Sequence, residues 1–577
     1  MPGQPKLKQF IPVLDWIQSY SKEHFKGDLN AGLTVGIMLI PQGMAYAVLA
    51  GLPPVYGLYA SIVPLILYGI FGSSRQLAVG PVAIVSLLVL AGVSELAEVG
   101  SDRFIQLAIM TAFGVGLFQL LMGFMKMGFL VNFLSHPVLS GFISAAALII
   151  AASQIRNLLG IDLPQTNQVH EILIGVIQKI GEIEPVTAMI GMGSIAVIIL
   201  VQKWKKTFPA ALVVVIIGIG ITAFWGLDAR GVSIVGDIPG GLPSFELANI
   251  HPGDLQLLLP VILVITLVSY MESIAIAKVI ATRRGYKIDA DQELIALGAA
   301  NIGGSLFQSF PTTGGFSRSA VNDQSGARTG MASIISAGII ALTVLFLTPL
   351  FYYLPGAVLA AIIMVAVIGL FDLKAIINLW KTDKKDLAML LVTFFATLTL
   401  GIEEGIAVGV IISLVAVIYS STRPHSAELG RLGKTQNFRN VNRYPEADVD
   451  EDVLIFRFDS QLYFANVEHF RETLEELIEK KKEKLNLVIL DASAMTNIDS
   501  TGIHTMKEVV QDLGVRRIKF YIAGAIGPVR DKLKKSGISD AMGEENFFFD
   551  ISDALAFYRQ HGEEQMKREF SPFQTNI

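Results

Sequence analysis

The sequence predicts an α-helical membrane protein with about fourteen transmembrane segments in two inverted seven-helix repeats, followed by a small α/β domain. Three observations predict this class. Hydrophobic residues make up 52% of the 577 residues and charged residues only 16%, whereas an ordinary globular protein carries about 25% charged residues. Apolar runs follow one another from Ala31 to Tyr419. After Arg423 the sequence becomes charged and mixed, which indicates a soluble C-terminal domain.

The apolar region divides into segments at its charges, glycines and prolines. A span needs about 20 apolar residues, and fewer where a helix is broken at mid-depth. The first half gives seven candidates: 31–50, 54–72, 81–95, 104–125, 136–153, 186–202 and 209–226. After the polar link 227–254, seven more follow: 255–281, 291–308, 315–322, 331–353, 356–371, 386–400 and 403–421. Because seven is odd, a duplicated second half would enter the membrane from the opposite side, which gives inverted repeats.

Basic residues are unevenly distributed among the predicted loops. Loops after even-numbered segments hold most of them: Arg75, Lys126, Lys203, Lys205, Lys206, Arg283, Arg284, Lys287, Lys374, Lys381, Lys384 and Lys385. Loops after odd-numbered segments hold few: Arg103, Arg156, Lys179 and Arg230. By the positive-inside rule, the first set of loops and both termini are cytoplasmic.

These patterns predict the domain boundaries. We expect a cytosolic N-terminal segment over 1–28, a transmembrane domain over 29–421 with repeats at about 29–226 and 255–421, a linker over 422–445, a cytosolic domain over 446–565 and a C-terminal tail over 566–577. Within the cytosolic domain, predicted strands alternate with helices, which indicates an α/β layer domain. The strands are 453–458, 461–464, 485–491 and 518–524, and the helices lie near 466–484 and from about Asp499.

Composition excludes several classes of function. The chain has no cysteine, so disulfides, thiolate metal sites and cysteine nucleophiles are excluded. Its eight histidines are scattered without metal-ligand spacing. We expect no metal, no cofactor, no nucleic-acid partner and no enzymatic activity, because no catalytic constellation is present. The polar start MPGQPKLKQF lacks a short apolar core and cleavage site, so no cleaved signal peptide is expected.

Two segments begin with helix-breaking residues at matching places in the two halves. The third begins SSRQLAVGPVAIVS (73–86) and the tenth begins PTTGGFSRSAVN (311–322). Such paired broken segments are the best sequence indication of a transporter's binding site. A helix that starts at mid-membrane leaves its first N–H groups unpaired, with about +0.5 charge, and therefore attracts an anion.

Arg318 lies directly after the break in the tenth segment. With two helix N-termini it brings the positive charge to roughly +2. An unpaired arginine at that depth costs at least about 2.5–3.5 kcal/mol, so an anionic partner is expected. The alternative is a structural arginine paired with an internal acid or with backbone carbonyls. The pattern predicts an oxyanion site.

The first and eighth segments each carry one strong polar group near the middle, Gln42 and Glu272. An ionised carboxylate at mid-membrane is costly. A protonated Glu272 leaves a pocket suited to a divalent anion, whereas an ionised one cancels part of its charge. This predicts proton-coupled anion uptake. The alternatives are a helix–helix hydrogen bond for either residue, or a sodium site at Glu272.

Two long stretches strongly resemble the sulfate permease (SulP) family of anion transporters. They are AGLTVGIMLIPQGMAYAVLAGLPPVYGLYASIVPLILYGIFGSSRQLAVGP (31–81) and GYKIDADQELIALGAANIGGSLFQSFPTTGGFSRSAVN (285–322). TNIDSTGIHTM (496–506) resembles the regulatory loop of STAS domains. The resemblance covers about residues 10–560. It implies fourteen helices in two inverted repeats, a core and a gate domain, a cytosolic STAS domain and a homodimer.

The resemblance also implies roles for individual residues. The family's substrate pocket falls on Gln42, Tyr46, Val82, Ala83, Ser317 and Arg318. The carboxylate at Glu272 is typical of relatives that look proton-coupled. In the STAS loop, the hydroxyls that match a phosphorylated position are Ser500 and Thr501, and a cytosolic regulator could bind there. The simpler reading of Asp499 and Ser500 is a helix N-cap.

Together these observations predict secondary active transport of a small inorganic oxyanion, sulfate by proton symport. The anion is expected to bind by alternating access between the N-termini of half-helices 3 and 10. The alternatives are bicarbonate or fumarate-like dicarboxylate transport, sodium coupling, an uncoupled anion channel, and a sensor that relays anion status. The expected location is a bacterial inner membrane, crossed many times.

Overall fold

The computed structural model describes residues 10–129, 135–163, 168–204, 208–246, 252–433, 435–481 and 484–569. Lys205, Lys206, the first nine residues and the last eight residues, all named in the expectations above, lie outside these ranges. The chain divides into two compact units, Met1–Ser413 and Leu414–Ile577. The first unit is helical, and the second is built on a mixed β-sheet.

The helices of the first half are between 4 and 28 residues long. They are α1 (Val13–Trp16), α2 (Lys22–Leu49), α3 (Pro54–Tyr59), α4 (Val63–Phe71), α5 (Ala83–Ser94), α6 (Asp102–Phe124), α7 (His136–Leu159), α8 (Val169–Gln178), α9 (Pro185–Trp204) and α10 (Ala210–Trp225). The second half holds α11 (Pro252–Arg284), α12 (Ala290–Ser305), α13 (Phe316–Gln324), α14 (Met331–Phe346), α15 (Gly356–Ile368), α16 (Leu373–Thr382), α17 (Lys384–Thr399) and α18 (Ile402–Thr422).

Each of the fourteen predicted segments contains a helix. The second segment is divided into α3 and α4, and Pro64 lies in the first turn of α4, where its missing N–H costs nothing. Besides the four-residue α1, two helices were not predicted, α8 and α16. Each is 10 residues long, about 15 Å, and is too short to cross a bilayer core of about 30 Å.

Helices from the two halves pack against each other in the first unit. The pairs with the most extensive contact are α6 with α12 and α2 with α14. A side chain at Gly298 would place its Cβ 2.8 Å from the Gly116 carbonyl oxygen, so glycine permits the close approach of α6 and α12. Among the described residues, eight helical stretches are long and apolar enough to cross a membrane. The predicted helical membrane class is confirmed.

The sheet of the second unit contains seven strands, which are β3 (Ser426–Leu432), β4 (Phe438–Asn440), β5 (Ala447–Asp448), β6 (Val453–Phe458), β7 (Leu487–Asp491), β8 (Lys519–Ala523) and β9 (Phe547–Phe548). Their order is β4-β3-β6-β7-β8-β9, with β5 paired to β3. Strands β6 to β9 are parallel and β3 is antiparallel to β6. The helices are α19 (Val467–Lys481), α20 (Ser500–Val515), α21 (Gly527–Lys535), α22 (Ile538–Met542) and α23 (Ile551–Glu569).

Two expectations for this unit differ from the structure. Residues 461–464 were predicted as a strand, but only an isolated bridge joins Leu462 to Ile498. The expected linker 422–445 contains β3 and β4. Strand β3 buries only alternate small or apolar side chains such as Ala427 and Leu429, and the polar residues between them gave the segment the composition of a linker.

Candidate functional site

The two predicted breaks meet in a short antiparallel pair of strands. Strand β1 (Val79–Gly80) pairs with β2 (Thr313–Gly314), with Val79 opposite Gly314. The Gly315 N–H also donates to the Ala78 carbonyl over 3.0 Å. Because β1 leads into α5 and β2 leads into α13, this pairing brings the N-terminal ends of both short helices together.

Buried hydroxyls hold β2 against α11. The Ser273 Oγ accepts a hydrogen bond from the Gly314 N–H over 2.8 Å and lies 2.6 Å from the Thr313 Oγ1. The Thr313 hydroxyl donates to the Ser269 carbonyl over 2.7 Å. On the other side, the Asn301 Oδ1 accepts from the Thr312 N–H over 2.8 Å. These bonds fix the polar segment before α13 within an otherwise apolar region.

A cavity of about 290 Å³ lies at this junction. Seven residues predicted from the sequence line it: Gln42, Tyr46, Val82, Ala83, Glu272, Ser317 and Arg318. They come from α2, α5, α11 and α13. The structure therefore brings together the whole predicted set, although these residues span 277 positions of the chain.

Both short helices present free N-terminal amides at the cavity. Val82 is the N-cap of α5 and Gly315 is the N-cap of α13, and no side chain caps either helix. The first N–H groups of a helix have no acceptor within the helix, and the peptide dipoles give that end about +0.5 charge. Two such ends at one cavity favour an anion.

Arg318 is buried, with 2% of its surface exposed. Its Nη1 donates to the Pro81 carbonyl over 2.7 Å, which ties α13 to the start of α5. Its Nε and Nη2 have no hydrogen-bond partner within the described part of the chain. The structural alternative, pairing with backbone carbonyls, thus accounts for one of the three guanidinium nitrogens. The other two remain available to a ligand.

Glu272 lies in the middle of α11 and lines the same cavity. Its Oε2 is buried without a hydrogen-bond partner in the ranges that the structure describes. No ion pair within 4.0 Å joins its carboxylate to the Arg318 guanidinium. A carboxylate beside an arginine but not bonded to it can exchange a proton and change the net charge of the cavity.

A second part of the cavity lining was missed by reasoning from the sequence. It comes from the end of α9, the start of α10 and the end of α15: Ile198, Gln202, Phe208, Pro209, Ala210, Ala211, Ile362, Val365, Ala366, Gly369 and Leu370. Met38, Ile84, Gly315, Phe316 and Val321 complete the lining. Among these residues, only Gln202 could have been suspected from the sequence, because it is a polar residue near the end of an apolar helix.

Ser500 and Thr501 lie in the second unit, as the first two residues of α20, and both are exposed. Asp499 is the N-cap: its Oδ1 accepts from the Gly502 N–H over 2.8 Å, and its Oδ2 accepts from the Phe464 N–H over 3.0 Å. The N-cap reading is therefore correct for Asp499, and phosphorylation of the two hydroxyls stays a prediction. No group of three histidine or carboxylate residues in the described ranges is placed to hold a metal ion.

Comparison with known proteins agrees with this architecture. A model of the sulfate permease family matches residues 25–393 and a model of the STAS domain matches residues 444–554. "Sulfate transporter 4.1, chloroplastic" of Arabidopsis thaliana is 42% identical over 96% of this chain and 83% of its own length. "High affinity sulfate transporter 2" of Stylosanthes hamata is 35% identical over 96% of this chain and 87% of its own length.

Solved structures share the fold. The murine solute carrier 26 family member A9 anion transporter, in the inward-facing state, is 25% identical, with a TM-score of 0.89 over 97% of this chain and 96% of that chain. The transmembrane domain of a cyanobacterium bicarbonate transporter is 22% identical, with a TM-score of 0.59 over 69% of this chain and 98% of that chain. The second likeness concerns the fold alone.

The relatives correct the expected location and support the expectation that the protein is not an enzyme. Both sulfate transporters named above come from plants, so the expected bacterial inner membrane finds no support. The family and its members are transporters, not enzymes. With its apolar helices, its paired short helices and its C-terminal α/β unit, the chain belongs to the sulfate permease family, as a multi-pass membrane transporter of anions with a C-terminal STAS domain.

Proposed function

We propose that the protein transports sulfate together with a proton, by alternating access. The observation that carries the proposal is Arg318, which is buried and has two guanidinium nitrogens without partners where two uncapped helix N-termini meet. A tetrahedral oxyanion accepts hydrogen bonds from several directions, so it can use the guanidinium and both sets of amides together. The sulfate transporters among the relatives support sulfate as the anion.

The proposed binding residues are Gln42, Tyr46, Val82, Ala83, Ser317 and Arg318, all of which line the cavity. Arg318 supplies the full charge, and the backbone of the two helix starts supplies N–H donors. Gln42 and Tyr46 face the anion from α2 with polar groups of their own. Val82 and Ala83 have small side chains, which leaves room for the anion close to the helix end.

Glu272 is the proposed proton carrier. The two helix ends and Arg318 together supply roughly +2. An ionised Glu272 lowers this to about +1, and a protonated Glu272 restores a charge that balances a divalent anion. Sulfate and a proton therefore favour each other's binding, which is the requirement for symport.

The side from which the cavity is entered follows from its lining. Gln202, Phe208 and Leu370 lie next to the loops that the distribution of lysine and arginine predicts to be cytoplasmic. We therefore propose that the structure represents an inward-facing state, the state named for the murine relative. Transport would move the wall formed by α9, α10 and α15 relative to the wall formed by α2, α5, α11 and α13.

Four further points belong to the proposal. The repeats span about 29–226 and 255–421, the protein is a homodimer, both termini are cytoplasmic, and a cytosolic regulator acts on the STAS domain through Ser500 or Thr501. Ser500 and Thr501 are exposed at the N-terminus of α20. A phosphate group on either hydroxyl would be stabilised by the helix N-terminus.

Uptake by purified protein in liposomes tests the proposal. Labelled sulfate, bicarbonate, fumarate and chloride are each offered under an imposed proton gradient or an imposed sodium gradient. We expect uphill uptake of sulfate with the proton gradient only. Uphill uptake of bicarbonate or fumarate in its place would reassign the substrate, sodium-driven uptake would reassign the coupling, and current without uphill uptake would identify a channel.

A further inference from the structure

The short helix α16 (Leu373–Thr382) is almost without support from the rest of the first unit. None of its residues is buried. The largest apolar side chains are open: Leu373 is 60% exposed, Ile377 is 55% exposed and Trp380 is 69% exposed. At 100° per residue these three positions form one stripe along the helix. In the part of the chain that the structure describes, more than half of the surface of each of these side chains is left uncovered.

Lysines border this stripe on one side. Lys374 and Lys381 lie about 80–100° around the helix from Leu373, and Lys384 begins α17 directly afterwards. In the described ranges these three lysines form no ion pair. The neighbouring acids are engaged with the backbone: Asp372 Oδ1 accepts from the Ala375 N–H over 3.0 Å, and Asp383 Oδ1 accepts from the Lys385 N–H over 2.8 Å.

The position of α16 in the chain places it at a membrane surface. It connects two predicted spans, α15 and α17, at the end that carries the basic loops. Its 10 residues extend about 15 Å and cannot cross the bilayer. A helix with an apolar stripe flanked by lysines is suited to lie in the interface, with the stripe in the acyl chains and the ammonium groups among the headgroups.

The helix α8 (Val169–Gln178) provides an internal comparison. It follows the fifth predicted span as α16 follows the twelfth, and it also leaves apolar residues open, among them Leu173 and Ile177. Its first turn carries Glu171 and its last turn carries no basic residue, although Lys179 follows as the C-cap. The two helices share an exposed apolar stripe and differ in charge, which is the difference expected between an outer surface and a cytoplasmic surface rich in anionic lipid.

We propose that α16 docks on the cytoplasmic face of the bilayer and binds anionic lipid. Leu373, Ile377 and Trp380 enter the acyl region, and Lys374, Lys381 and Lys384 bind the phosphate groups of anionic headgroups. Docking also fixes the cavity wall, because Gly369 and Leu370 line the cavity only a few residues before α16 begins.

The absence of cysteine allows a direct test on the full-length protein. A single cysteine is introduced by I377C on the stripe, or by N378C on the polar side as the matched control, and is labelled with a fluorophore. Each protein is placed in phosphatidylcholine vesicles with or without phosphatidylglycerol. We expect lipid-borne doxyl groups to quench the label at 377 several-fold more than at 378, and acrylamide in the water to show the reverse. Equal quenching at both positions, or no lipid quenching at 377, would overturn the docking.

The lysines are tested with the same label. We expect phosphatidylglycerol to increase lipid quenching at 377, and K374Q/K381Q/K384Q to remove the increase, since each lysine near an anionic surface contributes about fivefold in affinity. The control K480Q/K484Q/K534Q changes three exposed lysines of the second unit. This control should leave the phosphatidylglycerol-dependent increase in quenching unchanged. An I177C label on α8 should be lipid-quenched without dependence on phosphatidylglycerol. An unchanged lipid dependence in the α16 triple variant would refute the proposed lipid contact. None of these readouts depends on which anion is transported.

Discussion

Arg318 illustrates how a charge can be kept inside a membrane domain with most of its hydrogen-bonding capacity unused. The Pro81 carbonyl accepts a hydrogen bond from one nitrogen over 2.7 Å, which holds that edge of the guanidinium in place. Two nearby glycines leave space for the guanidinium. A Cβ at Gly315 would lie 2.8 Å from the Arg318 Nη2, and a Cβ at Gly80 would lie 3.5 Å from the same atom. The side chain is therefore oriented by the backbone and left free for a ligand on its other edge.

Replacing Arg318 with alanine should weaken anion binding and leave the fold intact. Hydrogen bonds to a charged group contribute about 1.5–3 kcal/mol, so we expect sulfate affinity to fall by about 10- to 100-fold. Arg318→Lys should retain part of the affinity, because it keeps the charge and loses the planar pair of donors. Equilibrium binding of labelled sulfate to purified protein measures both. Wild-type affinity in the alanine variant, with unchanged elution and melting, would show that the anion binds elsewhere.

Some site residues could be predicted from the sequence and others could not, for a physical reason. Arg318 and Glu272 stand out because a charge in an apolar segment is costly unless it has a function or a partner. Ile198 and Ile362 line the same cavity and carry no such signal. An apolar side chain in a membrane helix looks the same in the sequence whether it faces a cavity, a lipid or another helix.

At the scale of elements, the two-residue strands β1 and β2 determine where the short helices begin. Their pairing depends on backbone that approaches closely, and Ser273 satisfies the Gly314 N–H on the side away from β1. The starts of α5 and α13 were predicted from glycines, prolines and hydroxyls. The pairing itself was not, because two residues are too few to show a strand period.

Gly315→Ala should disable the site through crowding. The added methyl would lie 2.8 Å from the Arg318 Nη2 and 2.9 Å from its Cζ, so the guanidinium must leave its position beside Pro81. We expect sulfate affinity to fall nearly as far as in Arg318→Ala, with little change in thermal stability. Gly338→Ala is the matched control, since nothing lies within 4 Å of its added Cβ. Similar sulfate binding by both glycine variants would contradict the proposed geometry.

The short helices α8 and α16 show a second limit of prediction. Their apolar stripes are interrupted by polar residues every few positions, so neither resembles a span, and both were assigned to loops. Only the structure shows that these residues form helices, and that each helix is too short to cross the bilayer. The structure adds them as surface elements between the predicted segments.

On the scale of the whole molecule, the boundary between the two units lies before β3. Strand β3 pairs with β4, β5 and β6, and it buries Ala427 and Leu429 against the sheet. The sequence composition changes from membrane to soluble near Arg423, and the two compact units divide between Ser413 and Leu414. The sequence did not indicate that the polar residues after Arg423 form an inner strand. What makes β3 a strand is its pairing with β4, β5 and β6, which lie later in the chain.

Fragments of the second unit test this boundary. A fragment of residues 424–569 should fold, whereas a fragment of residues 446–569 lacks β3 and β4 and exposes the edge of β6. Each buried apolar side chain removed with β3 costs about 1.5–3 kcal/mol, and an open edge favours aggregation. Circular dichroism melting and size-exclusion chromatography compare the two. Equal melting temperatures and monomeric elution for both would show that β3 is dispensable.

The proton gradient provides the most direct test of the central claim, that one cavity couples sulfate to a proton through Glu272. Labelled sulfate uptake is measured in liposomes that contain either the wild type or Glu272→Gln, with and without an imposed pH gradient. We expect the wild type to accumulate sulfate above equilibrium when the side from which sulfate enters is acidic. The glutamine variant, which cannot release a proton, should exchange sulfate without responding to the gradient. Gradient-driven accumulation by Glu272→Gln would contradict proton coupling at this residue.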